Sequence, residues 1–133
     1  VPDQAAVAVI ASSRFVSLTT FRKSGEPVST PMWIAEDGDG TLIISTHVES
    51  WKVKRLKNDP RVELRPSSVG GVVKPDAVMV AGTAELIFDT TNRAHFVALL
   101  RRKYGLQQRM LGFVESLRKT RSVDRVILKI TAS

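Results

Sequence analysis

The sequence predicts a mainly β fold with helical additions, an α+β barrel of six strands, and three observations carry that expectation. Stretches rich in β-forming residues recur at 14–21, 27–35, 41–46, 61–65, 77–87 and 123–130. The early ones are joined by short turns of glycine and charged residues, which favours antiparallel hairpins, whereas helical sequence precedes the last. In the first stretch both alternation faces are partly apolar, as a barrel wall requires. A chain of 133 residues buries one core with little to spare for another, so residues 1–133 form a single domain.

Each element has a local reason. Ala5 to Ala11 is an apolar run behind Asp3, too short to span a bilayer and without a preceding basic region, so it reads as an N-terminal helix laid on the sheet. Arg14 to Phe21 places Phe15, Ser17, Thr19 and Phe21 on one face and Val16, Leu18 and Thr20 on the other. Arg22 to Glu26 is a turn, with Gly25 able to take positive φ, and Pro27 to Ala35 returns as the second strand. Pro31 removes a ladder donor, so this strand is expected at an edge or bulged, leaving Ser29, Thr30 and Met32 open to something other than a neighbouring strand. Asp37 to Gly40 is turn chemistry and not a metal loop; Thr41 to Thr46 is the third strand, and Arg61 to Arg65 the fourth, stopped by Pro66. After a loop at 67–75, Ala77 to Ile87 is a long strand, with Gly82 at a bulge or close-packing point. Asp89 or Thr90 caps a helix with Phe96, Leu100 and Tyr104 at four-residue spacing, interrupted by Gly105. A further helix from about Gln107 carries Met110, Val114 and Leu117, with Glu115 supporting Lys119, and Val123 to Ile130 closes the fold.

The formal net charge is +7. An anionic partner suits that balance. The cations are scattered over the helix after Ser50, over Arg101, Arg102 and Lys103, and over 118–121, with few aromatics between them, so a small polyanion fits better than nucleic acid. Cysteine is absent, which removes disulfides and thiolate chemistry and accords with a reducing cytoplasm. His47 and His95 are the only histidines, and neither is spaced with carboxylates as a zinc site would need.

One stretch carries chemistry. The third strand ends in Ser45 and Thr46, and Ser50 stands as N-cap of a short helix bearing Lys52, Lys54 and Arg55. Free N–H groups and the positive end of the helix attract a phosphate, beside which Lys52 adds a point charge. Val53 and Leu56 face the core while Lys52 and Arg55 share the other face; Asn58, Asp59 and Pro60 end the helix. A plain solvated face is the competing reading of such cations. No Ser-His-Asp constellation, dinucleotide fingerprint or P-loop is legible, so in an enzyme a bound cofactor would carry the reaction.

The runs Phe15 to Phe21 and Gly25 to Trp33, then Ser50, Lys52, Val53, Lys54, Arg55, Leu56, Asp59, Pro60, Arg61 and Val62, resemble the flavin and deazaflavin oxidoreductase superfamily. That superfamily shares the split β-barrel of pyridoxamine 5'-phosphate oxidase, an FMN-binding fold. Gly82 to Ala84 and Leu100 to Leu106 are similar to its coenzyme F420-dependent branch, and the resemblance runs over nearly the whole chain.

The resemblance implies a homodimer with cofactor sites at the interface, acting on an unsaturated or conjugated small molecule by hydride transfer with F420; from composition and the charge pattern no membrane and no nucleic-acid partner is expected. FMN is the alternative cofactor, and a non-catalytic F420 carrier or sensor the alternative role. Val28, Thr30 and Met32 would meet the ring system, Ser45 and Thr46 the ring or ribityl chain, and Ser50 with Lys52 the phosphate, with Lys54 and Arg55 as supporting cations. Some relatives have arginine at the position matched by Ser50, which weakens the phosphate site here or shifts its load to Lys52 and a neighbour. Arg101, Arg102 and Lys103 could accept a polyglutamate tail, although a solvated helix face explains them better.

Overall fold

The computed structural model describes residues 3–38, 40–47, 49–88, 90–104 and 125–133. Its elements run α1 (Gln4–Ser12), β1 (Phe15–Phe21), β2 (Pro27–Met32), β3 (Ala35–Glu36), β4 (Leu42–His47), α2 (Trp51–Asn58), β5 (Arg61–Ser67), β6 (Val80–Ile87), α3 (Thr90–Tyr104) and β7 (Arg125–Ala132). The strands form one antiparallel sheet in the order β2-β1-β5-β6-β7-β4-β3.

The expected six strands are seven among the described residues, because the stretch 27–35 is cut at Trp33 and Ile34. Its first part pairs with β1 at one edge of the sheet and its last two residues with β4 at the opposite edge. Three Cα steps, at most about 11 Å, therefore join the two edges. The sheet has to curl until those edges nearly meet, and the result is a split barrel. Ile34, fully buried, plugs the crossing. Pro31 lies on an edge strand, where its missing donor removes no second ladder. Pro66 stands inside β5 instead of ending it, since β6 pairs only as far as Leu64. The long fifth strand begins at Val80 and not Ala77, and the last strand runs on to Ala132. Register passes unbroken through Gly82, which is a close-packing point: a Cβ there would lie 2.5 Å from the Thr131 carbonyl oxygen.

Asp3 caps α1 through the N–H groups of Ala5 and Ala6, and Ala6, Val7 and Ile10 enter the main core. That core joins the inward residues of the strands (Val16 and Leu18, Leu42 and Ile44, Leu128 and Ile130) to Val53 and Leu56 of α2. Outside the sheet, Phe96 and Leu100 of α3 pack on Ala35, Ile43 and Ile127. Lys103, at the end of α3, is neither a solvated cation nor a free anion acceptor. Its Nζ donates to the carbonyls of Ala11 (2.7 Å), Ser13 (2.7 Å) and Ile34 (2.8 Å), tying α3 to the end of α1 and to the edge crossing. Burial pushes its ammonium down to about 8, with Glu36 opposing. Arg102 is exposed. The Asp89 cap, the interruption at Gly105, the helix from Gln107 and the basic run 118–121 lie outside the described residues.

Candidate anion and cofactor site

Where β4 ends, the chain turns and Ser50 takes an extended conformation as N-cap of α2, its Oγ accepting the Val53 N–H at 3.4 Å. The Thr46 hydroxyl donates to the same Oγ at 3.4 Å, so the end of β4 is linked to the start of the helix. Val53 and Leu56 are buried, and this sets the rotation of α2. Lys52 and Arg55 come to the flank beside β1 and are partly buried; Trp51 and Lys54 stand outward, Lys54 Nζ lying 4.2 Å from the indole centroid. On the other side, register pairs Thr20 with Val28, Leu18 with Thr30 and Val16 with Met32, so Val28, Thr30 and Met32 share the barrel's inward face.

Between α2 and the β1–β2 hairpin opens a cavity of about 810 Å³. Arg22, Lys23, Lys52, Lys54 and Arg55 contribute five cations to its lining, and no carboxylate lines it. Val28, Thr30, Ser50, Trp51 and Asn58 supply the remainder. The cations repel one another. Burial, then the Arg55 charge, lowers the Lys52 ammonium from its ordinary value; burial, then the Arg22 charge, lowers the Arg55 guanidinium. Arg22 also meets Glu26 at 3.7 Å, an exposed pair of little energetic weight. Arg55 Nε donates to the Thr20 hydroxyl at 2.6 Å. Lys52 has no hydrogen-bond or ion-pair partner among the described residues. Thr30 Oγ1 is shielded from solvent and likewise meets no partner among them. An orphaned buried hydroxyl costs free energy that a bound polar group could recover.

The fold thus gathers Val28, Thr30, Ser50, Lys52 and Arg55 around one cavity. It does not bring the other three expected residues there. Met32 packs against the core. Ser45 and Thr46 are both buried and, being adjacent in a strand, point to opposite faces; Thr46 reaches the site only through Ser50. Arg22, Lys23, Trp51 and Asn58 line the cavity without having been singled out as site residues. A hairpin that returns to Val28 puts its turn at the same end of the sheet, so Arg22 and Lys23 were within reach of a register argument. Away from the cavity, among the described residues, His95 Nε2 meets Asp37 Oδ1 at 2.8 Å, an exposed contact between α3 and the β3–β4 turn. Among the described residues no group of three or more His, Cys, Asp or Glu could hold a metal ion, and no helix is long and apolar enough to cross a membrane.

Solved structures with this architecture include an F420 reductase, 21% identical over 94% of this chain and 91% of that one, with a TM-score of 0.63. A conserved hypothetical protein from Mycobacterium tuberculosis is 25% identical over 99% of this chain and 81% of its own, with a TM-score of 0.72. A putative pyridoxamine 5'-phosphate oxidase from Listeria innocua is 18% identical over 98% and 92%, with a TM-score of 0.65. Comparison with curated proteins finds no match. The family model described as pyridoxamine 5'-phosphate oxidase matches residues 2–133, nearly the whole chain, and the protein belongs to that family.

Proposed function

We propose that the chain is a cofactor-binding oxidoreductase domain whose cavity holds a phosphate-bearing flavin-type cofactor, coenzyme F420 with FMN as the alternative, and which reduces an unsaturated or conjugated small molecule. The observation that carries this reading is a cavity with five cationic side chains and no acidic one. The residues present fit such a group. Its phosphate would lie against Ser50, Lys52 and Arg55 at the start of α2, where N–H groups and cations converge. Val28 would give the ring an apolar contact and Thr30 a hydrogen bond to its polar edge. Trp51, 69% exposed at the rim, is a large apolar surface that a second subunit would cover, so the working unit is proposed to be a homodimer.

Bound there, the cofactor supplies hydride transfer; the protein's part is to fix position and exclude water. None of the lining residues is a carboxylate or an imidazole, so no acid or base is assigned. That same feature supports a second reading, a carrier or sensor that binds F420 without turnover. Titrating the purified protein with F420 and with FMN side by side, followed by fluorescence, tests the proposal. Preference for one names the cofactor, and binding of neither overturns the proposal.

A further inference from the structure

We infer that Thr20 is a positioning residue for the anion site, its buried hydroxyl holding the Arg55 guanidinium against β1 beside the cavity; this rests on the cofactor reading above. Thr20 is on the inward face of β1, 0% exposed, one strand from Val28 and remote in sequence from α2. Its Oγ1 accepts the Arg55 Nε–H at 2.6 Å, the one side-chain hydrogen bond that either residue makes among the described residues.

Arg55 needs such a tether. Arg22 and Lys52 both repel it, and no carboxylate meets it among the described residues. A long side chain in that field gains entropy and loses repulsion by swinging into solvent. Bonding Nε leaves the four terminal N–H groups of the guanidinium for a ligand, and their fork matches two phosphate oxygens. Thr20 therefore acts through Arg55 and does not itself need to touch the cofactor. At the same site valine would keep the volume and methyl packing while removing the acceptor, whereas serine would retain the acceptor.

The test joins an NMR arm on the free protein to a binding arm. In the wild type the Arg55 Nε–H signal should be resolved and slow to exchange; Thr20→Val should lose it and Thr20→Ser keep it. Thr20→Val should weaken the preferred cofactor, F420 or FMN, by about three- to tenfold, the range of one net hydrogen bond. Thr20→Ser should stay within about twofold, and in an Arg55→Met background Thr20→Val should change nothing further. An equal loss in both backgrounds overturns the inference, as does unchanged binding in Thr20→Val where Arg55→Met binds poorly. If the wild type took up neither cofactor, the cofactor reading would fall and the NMR arm alone would decide: an Nε–H signal no slower in the wild type than in Thr20→Val overturns the tether. Should Thr20→Val not fold, Thr20→Ala makes the same comparison.

Discussion

Lys103 and Lys52 are both partly buried lysines whose ammonium groups are pushed below the ordinary value, first by burial, yet the fold treats them in opposite ways. Lys103 saturates its three donors on carbonyls from the end of α1 and from the edge crossing. Lys52 stands at the first turn of α2 among other cations, with a cavity in front of it. The difference teaches how to tell a structural cation from one held for a ligand. Burial is similar in kind; what differs is whether the protein itself supplies the acceptors. Acceptors within the fold offset the burial cost of a saturated ammonium, and for an unsaturated one that cost is left for an incoming anion to offset.

Substitution should separate the two. Lys103→Met leaves three carbonyls without their donor and should lower unfolding stability by about 2–3 kcal/mol in a urea titration, with cofactor affinity of the folded protein unchanged. Lys52→Ala should lower cofactor affinity by about ten- to a hundredfold, the loss of a charge-assisted contact of roughly 1.5–3 kcal/mol. Because it also relieves repulsion, its unfolding stability should be equal to the wild type or slightly higher. If Lys52→Ala unfolded as readily as Lys103→Met with affinity intact, the contrast would be broken.

Thr30→Val sharpens the same point with a neutral group. It replaces an orphaned hydroxyl by a methyl, so stability should hold or rise by up to about 1 kcal/mol while affinity falls by about three- to tenfold. A pH profile reads the Lys52 contact without any substitution. An anion favours the charged form of Lys52, so affinity should be level near neutrality and decline as pH rises through the free-protein value, which lies below 10.5. Affinities measured from neutral pH upward check this, and a decline beginning only above 10.5 would count against Lys52 as the contact.

Much of this was legible beforehand for identifiable reasons. The Ser50 cap, the burial of Val53 and Leu56, and the flank shared by Lys52 and Arg55 follow from helical periodicity, a local property. The edge position of Pro31 follows from one missing N–H. The break at Trp33 and Ile34 did not, because β propensity continues across it and only pairing at two different edges ends the strand there. Lys103 looked like its neighbours in a cationic run, since its acceptors are backbone groups from 69 to 92 residues away. Ser45 and Thr46, adjacent in sequence, are set on opposite faces by strand alternation.

Sequence alone determined the local grammar of this protein: where the hairpins turn, which side of α2 is apolar, and that a cluster of cations follows an N-cap. Those depend on residues a few positions apart. Tertiary structure decided that the sheet curls, that the β1–β2 turn brings Arg22 and Lys23 to α2, and that Lys103 is saturated while Lys52 is not. The reason is physical. Whether a charge or a hydroxyl finds a partner depends on groups that only chain closure brings within hydrogen-bond distance, and no local pattern encodes that distance.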